Sequence, residues 1–291
     1  MGPETGIIFA FGALLFWGFG DFLIQRSTRK FGDWETLFIV TLFGAAITTP
    51  FVYAGLPSLF SFEDGSLLVL TTVSVVLLVA ALLDFEALRE GKIAVIEPIY
   101  ALEVPIAAIL AFTIVSEGLG LAEIALITVL VTGLMLVSLK SHHLSRKRWV
   151  EKGALLALLG SLFMGSSNFL VGFASRVTTP FMTNWFLNVF IALVCLSYIV
   201  GKGRLGRLER HVRDNTRLIF TVSAFDNLAW IAFAFAATLI PIAIAVAISE
   251  SYIALAALLG MLLNREMLMR HQKAGLFVAL SSAVGLAAIV S

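Results

Sequence analysis

Long apolar stretches, separated by short polar breaks, follow one another along the whole chain. A helix that crosses a membrane needs about 20 mostly apolar residues. None of the stretches shows the period-two alternation of a strand, which argues against a transmembrane barrel. Pro98 and Pro105 predict a kink or local unwinding in the fourth stretch. The pattern predicts an all-α integral membrane protein with ten transmembrane helices, at residues 5–25, 35–55, 66–86, 93–115, 121–139, 153–174, 181–200, 217–238, 240–263 and 272–290.

The composition agrees with a chain surrounded by lipid. Apolar residues make up 59% of the 291 positions and charged residues 13%, against about 45–50% and 25% in soluble domains. The high hydrophobicity excludes a disordered chain. The net charge of +1 excludes a soluble nucleic-acid binder, which needs a basic face. We therefore expect the lipid bilayer, and no nucleic acid, among the partners of this protein.

The basic residues predict the orientation of the helices. Nineteen of the 20 Lys and Arg residues lie in alternate connections between the predicted helices, and only Arg176 lies in the other set. Basic residues concentrate in cytoplasmic loops. The distribution predicts a multi-pass protein of the cytoplasmic (inner) membrane with both termini outside. Because a missed helix would scramble the alternation, it also supports the count of ten.

The two halves of the chain resemble each other. Residues 17–23, WGFGDFL, match residues 164–170, MGSSNFL, at a distance of 147 positions. We expect two five-helix repeats, at residues 1–139 and 153–291, joined by a basic cytoplasmic linker at residues 140–152. An odd number of helices per repeat places the repeats in opposite orientations. Inverted repeats around a site near the midplane are typical of secondary transporters.

These features resemble the drug/metabolite transporter superfamily, and within it the EamA-type transporters with ten helices. The resemblance rests on Trp17 and Gly18, on Gly165 in the second repeat, and on Glu117 and Glu266, which each end the fourth helix of a repeat. It implies a basket of helices around a central cavity that opens alternately to either side. It also implies export or exchange of small metabolites, with helices 1, 3, 4, 6, 8 and 9 lining the cavity. The substrate does not follow from it.

Acidic residues inside the apolar stretches are the strongest functional signal. An ionised side chain at the centre of a bilayer costs at least about 2.5–3.5 kcal/mol, so it needs a reason to be there. From the rise of about 1.5 Å per residue, Glu103, Asp226 and Glu250 are expected near mid-depth and Asp21 in the inner third. We predict that these four acids bind substrate or protons. Asp84 and Glu97 are expected near cytoplasmic helix ends, in structural or interfacial roles.

Polar and aromatic residues near the mid-depth acids predict the lining of a pocket. Carboxylates and aromatic faces both attract positive charge, and a carboxyl group in such a cavity can exchange its proton for a substrate. The alternatives are structural: a protonated acid can bond a backbone carbonyl, Trp and Tyr can anchor a helix at the interface, and Asn184 and Asn188 can join helices. The expected lining residues are Trp17, Tyr100, Asn168, Asn227, Trp230 and Tyr252.

Motifs for enzyme chemistry are absent from the sequence. It contains no G-x-x-x-x-G-K-[ST], H-E-x-x-H, C-x-x-C or G-x-S-x-G run, and its four histidines lie in predicted cytoplasmic loops. We therefore expect no catalytic residue, no metal and no cofactor, and we do not expect an enzyme.

The function predicted from the sequence is secondary active transport by alternating access. The substrate is expected to be a small cationic or zwitterionic metabolite, moved by proton coupling or by exchange, in a monomer or homodimer. One alternative is a flippase for a lipid-linked head group, which needs cationic residues for a phosphate. Another is a membrane-embedded lipid-modifying enzyme, which needs acids or histidines clustered near one interface.

Overall fold

The computed structural model describes residues 2–59, 65–90, 99–138, 152–255, 258 and 269–290, except the side chains of residues 21, 58, 88, 90 and 152–154. This part of the chain consists of helices joined by short connections and contains no strand. A 3-10 turn at Tyr53–Gly55 joins α2 to α3. The helices are α1 (Pro3–Phe31), α2 (Asp33–Val52), α3 (Leu56–Leu59), α4 (Ser66–Glu90), α5 (Glu103–Val115), α6 (Leu121–Ser138), α7 (Lys152–Val177), α8 (Pro180–Gly201), α9 (Leu205–Asp214), α10 (Thr216–Leu239), α11 (Ile242–Ser249) and α12 (Arg270–Val290).

Within the described ranges, eight helices are long and apolar enough to cross a membrane. They are α1, α2, α4, α6, α7, α8, α10 and α12, and they coincide with eight of the ten predicted stretches. The prediction of an all-helical multi-pass membrane protein is confirmed. The predicted linker at residues 140–152 lies outside the described residues apart from the start of α7.

The fourth and ninth predicted stretches contain shorter apolar helices. The fourth is described from residue 99, turns at Ala101 and Leu102, and continues as α5. Pro105 stands in the first turn of α5, where its missing N–H has no intrahelical partner to lose. In the ninth stretch a turn at Glu250 and Ser251 follows α11, before a further helical run that is described as far as Leu255. The breaks place polar backbone and two glutamates inside the bundle.

The most extensive helix contacts join one half of the chain to the other. They lie between α1 and α10, α4 and α7, α2 and α8, and α6 and α12. The last pair approaches closely through small residues. A Cβ on Gly275 would lie 2.7 Å from the carbonyl oxygen of Gly133, so neither position accepts a larger residue without moving a helix. In the centre of this arrangement, every residue of α11 is buried.

The cytoplasmic connection expected between α8 and α10 contains a helix that the apolar pattern did not predict. In α9 only Leu208 is buried, and charged residues cover most of the remaining surface. Its polar side is too large for a membrane span. Its sequence contains no long apolar stretch, so the apolar pattern does not predict it.

Candidate functional site

A cavity of about 110 Å³ lies between the helices of both halves. A water molecule occupies roughly 30 Å³ in the liquid, so the cavity admits a small organic group. The walls come from α1, α2, α4, α5, α7, α8 and α10 and from the residues that follow α11. The helices implied by the family resemblance all contribute, and α2 and α8, the second helix of each half, add to them.

Two glutamates from different halves share one amide at this cavity. Asn168 donates from Nδ2 to Oε2 of Glu103 at 3.3 Å and to Oε1 of Glu250 at 3.0 Å. Their exposed fractions are 3% for each glutamate and 1% for Asn168. Two carboxylate charges held this close repel each other, so a proton or another cation beside them stabilises the arrangement.

The helix breaks position both glutamates. Glu103 is the first residue of α5, and Glu250 directly follows the last residue of α11. At the start of a helix, unpaired backbone N–H groups favour an acidic side chain. Discontinuous helices near the midplane are a common source of ion and substrate sites in transporters. The prolines of the fourth stretch predicted local unwinding near Glu103, whereas no comparable signal predicted the turn that follows α11 at Glu250.

Asp226 and Asp84 complete the acidic lining. Asp226 is half-buried on α10, and Asp84 is 8% exposed on α4. The hydroxyl of Tyr100 donates to the backbone oxygen of Asp84 at 3.4 Å. Gly160 on α7 provides room for Asp84, because a Cβ there would overlap Oδ1 of the aspartate. The sequence predicted an interfacial role for Asp84, whereas the structure places it in the cavity wall.

Aromatic rings line the same cavity as Asp226 and Glu250. The ring of Trp17 meets that of Trp230 edge to face, with centroids 5.1 Å apart, and lies 6.4 Å from that of Tyr252. Trp230 stands one turn after Asp226 on α10, and Tyr252 stands two residues after Glu250. The negative faces of such rings add to the attraction that carboxylates exert on a cation.

A network of amides lies between α2, α8 and α10. Asn188 lines the cavity and donates to Oδ1 of Asn227 at 3.1 Å. Asn227 in turn donates to the carbonyl oxygens of Val40 at 3.0 Å and Ser223 at 2.9 Å. Gly44 makes the contact possible, because a Cβ there would overlap both amide groups. Asn227 therefore supports the lining from behind and is not itself a lining residue.

Many lining residues occur in pairs at the sequence distance of 147 positions that relates the two halves. The same helices of each half thus present the same positions to the cavity, which places the cavity between corresponding surfaces. The pairs are Trp17 and Met164, Leu37 and Asn184, Val40 and Leu187, Thr41 and Asn188, and Glu103 and Glu250.

A clasp of hydrogen bonds around Arg176 joins the far ends of several helices. Arg176 donates from Nε to the oxygen of Ala237 at 2.7 Å, and from Nη2 to the oxygen of Ile240 at 2.9 Å and to Oε1 of Glu117 at 3.0 Å. The other oxygen of Glu117 accepts the N–H of Ala243 at 3.2 Å. The Arg176 clasp thereby satisfies carbonyls at the end of α10 and an N–H in the first turn of α11.

The structure brings most of the predicted site residues to one cavity. Glu103, Asp226, Glu250, Trp17, Tyr100, Asn168, Trp230 and Tyr252 line it. The side chain of Asp21, and the whole of Glu97 and Glu266, lie outside the described residues. Asp84, Asn184, Asn188 and Thr41 also line the cavity and were not among the predicted site residues. Two of them, Asn188 and Thr41, are 147 positions apart, so the repeat distance could have indicated that both line the cavity. Within the described ranges, no three His, Cys, Asp or Glu side chains come together as metal ligands would.

A bundle of membrane-spanning helices around a cavity lined by both halves is the architecture of a membrane transporter. The chain belongs to the EamA-like transporter family, whose model matches residues 4–139 and residues 151–288. This match confirms the family inferred from the sequence. A crystal structure that covers 98% of this chain and 96% of its own chain shares 16% sequence identity and superposes with a TM-score of 0.70, which shows a common fold. No curated protein sequence matches the chain.

Proposed function

We propose that the protein is a secondary active transporter for a small cationic or zwitterionic metabolite in the cytoplasmic membrane. Transport proceeds by alternating access and is coupled to protons or to a counter-substrate. Glu103, Asp226 and Glu250 bind the substrate or the protons that exchange for it. The observation that carries the proposal is the pair of buried glutamates joined by Asn168 at a cavity between the halves.

The alternation between two access states follows from the repeat. We infer ten spans, with the shorter helices around α5 and α11 as parts of the fourth and ninth, and two repeats of opposite orientation. The pairwise contacts between first-half and second-half helices support a two-fold relation between the repeats. When the two repeats exchange their conformations, the same site opens first to one side of the membrane and then to the other.

The cavity of this form is directed to the cytoplasm. Its lining extends from the mid-depth glutamates to Ile24 and Phe85, which lie towards the end of the bundle that carries the basic residues. At the other end the Arg176 clasp joins α7, α10 and α11. Stacked rings of Phe9 and Phe235, with centroids 5.0 Å apart, support closure there.

Uptake of candidate metabolites into proteoliposomes, with and without a pH gradient, tests the proposal. Glu250→Gln and Asp226→Asn are expected to abolish proton-linked uptake, because each removes a negative charge from the cavity and leaves the shape of the side chain almost unchanged. Glu209→Gln removes an exposed charge from α9 and serves as the matched control. Unchanged transport in both cavity variants, with normal folding, would refute the assignment.

A further inference from the structure

We infer that the substrate is an amine cation with an apolar body and no carboxylate group. This inference rests on the proposed transport function and narrows it, since it separates amines from amino acids. Three features of the cavity carry it: the sign of its charges, the engagement of its hydrogen-bond donors, and the location of its aromatic rings.

The charged residues of the lining are all acidic. Asp84, Glu103, Asp226 and Glu250 contribute four carboxyl groups, and no Lys, Arg or His occurs among the described residues that line the cavity. A zwitterion would bring its own carboxylate into this acidic surrounding. Like charges repel strongly in a poorly solvated site. The carboxylate of an amino acid therefore weakens its binding there, whereas an amine has no such group.

The three asparagines of the lining and the hydroxyl of Thr41 already donate to acceptors within the protein. Asn168 donates to both glutamates, Asn188 donates to Asn227, and Nδ2 of Asn184 donates to the carbonyl oxygen of Pro180 at 2.8 Å. The hydroxyl of Thr41 donates to the carbonyl oxygen of Leu37 at 2.7 Å. A substrate carboxylate would have to break these bonds to be held by the asparagines or by Thr41, and an unpaired buried carboxylate is costly.

The remaining surface suits the body of an organic cation. Trp17, Trp230 and Tyr252 line the same cavity as Asp226 and Glu250, so a ligand whose ammonium group binds these acids also meets aromatic rings. Apolar side chains such as Leu37 and Leu77 cover other parts of the lining. The ammonium group of such a ligand binds the acids. Its alkyl or aryl body packs on these apolar and aromatic surfaces.

The lack of a cationic lining residue also disfavours a phosphorylated head group. A phosphate is bound in proteins by Arg, Lys or rows of backbone N–H groups. The described lining has no basic side chain, and its amides are engaged as above. The same chemistry that rejects a substrate carboxylate therefore rejects a lipid-linked phosphate.

Ligands that share a body and differ only in their charged groups test this inference. Isoamylamine, leucine and isocaproate form one set, and phenylethylamine, phenylalanine and phenylpropionate form a larger one. Dissociation constants of the purified full chain are measured by tryptophan fluorescence and by the ligand-dependent rise in unfolding temperature. We expect each amine to bind at least about tenfold more tightly than its amino acid, and no binding of the carboxylic acids.

Variants then locate the binding. Glu103→Gln and Glu250→Gln are expected to weaken amine binding by at least about tenfold, whereas Glu209→Gln leaves it unchanged. The comparison of ligands on the wild-type protein needs no variant, so a variant that fails to fold leaves the test intact. The unfolding temperature without ligand identifies such a variant.

The outcomes separate the substrate class from the transport function. Amino acids that bind and are transported as well as the amines, with loss in Glu250→Gln, overturn the inference and leave the transport proposal standing. Failure of both amines to bind also overturns the inference. Amines that bind selectively but are not moved into proteoliposomes overturn the transport function and leave the recognition of amines in place.

Discussion

The two halves of the chain present the same positions to the cavity but not the same chemistry. At the fourth helix of each half both contribute a glutamate, Glu103 and Glu250. At three of the other four paired positions the first half has Trp17, Leu37 and Thr41, whereas the second half has a methionine and two asparagines. The negative charge is therefore shared between the halves, while most of the paired positions differ in their aromatic, apolar and amide side chains.

This difference separates two tasks of a binding site. A charge provided equally by both halves can persist when the halves exchange their packing, which suits the part of the site that holds a cation throughout transport. Unequal walls give the ligand one orientation, because its apolar body gains more contact area on one side. We therefore expect substitutions of the two glutamates and substitutions of the unequal walls to affect binding and stability differently.

The largest effect is expected at the shared charge. Glu103→Gln and Glu250→Gln should each weaken the binding of an amine by about 10- to 100-fold, because each loses a charge-assisted interaction of about 1.5–3 kcal/mol. Glutamine still accepts a hydrogen bond from Asn168, so folding should persist. Binding by fluorescence and initial rates of uptake measure the two losses.

A double variant of Glu103 and Glu250 tests whether the two halves contribute equally to cation binding. If Glu103 and Glu250 hold one cation together, the double variant should lose less affinity than the sum of the two single losses. A variant of Glu103 that binds like the wild type, beside a defective variant of Glu250, would show that the halves are not equivalent at the charge.

The next effect is expected at Gly44, which allows the wall of amides to form. Gly44→Ala should lower the free energy of unfolding by about 1–3 kcal/mol, because the new methyl group overlaps the amides of Asn188 and Asn227 and separates their hydrogen bond. Gly12→Ala is the control, since its nearest contact would be Ala232 at 3.8 Å and alanine favours a helix. Denaturant unfolding in detergent compares the two, and equal stabilities would mean that the amide wall adapts.

Much of the fold was predictable from the sequence, because the bilayer imposes the length and the apolar character of each span. The acids of the candidate site were predictable for the same reason, since Glu103 and Glu250 are costly in lipid. The hydrogen bonds of Asn168 were not, because they depend on how α7 packs against two helix breaks. Asp84 was assigned to the interface by counting residues along its helix, whereas its place in the wall depends on Gly160 of a neighbouring helix.

A smaller effect is expected at the Arg176 clasp. Arg176→Ala should reduce stability by about 1–2 kcal/mol, because carbonyls of Ala237 and Ile240 and the carboxylate of Glu117 lose a donor, although the side chain of Arg176 is 33% exposed and partly screened. Arg207→Ala, an exposed basic residue of α9, is the control. If both variants unfold at the same denaturant concentration, the clasp contributes nothing to this form.

The smallest effect, and the most specific, is expected from Asn168→Asp, which gives the second half the residue that the first half has at position 21. An ionised aspartate cannot donate to Glu103 and Glu250, whereas a protonated one donates to one of them. Relative to the wild type at the same pH, transport should be lowest at alkaline pH and should recover as acid protonates the new carboxyl group. Asn168→Leu lacks a donor at every pH and should not recover. Parallel pH profiles of the two variants would mean that the amide of Asn168 serves only packing and does not position the two glutamates.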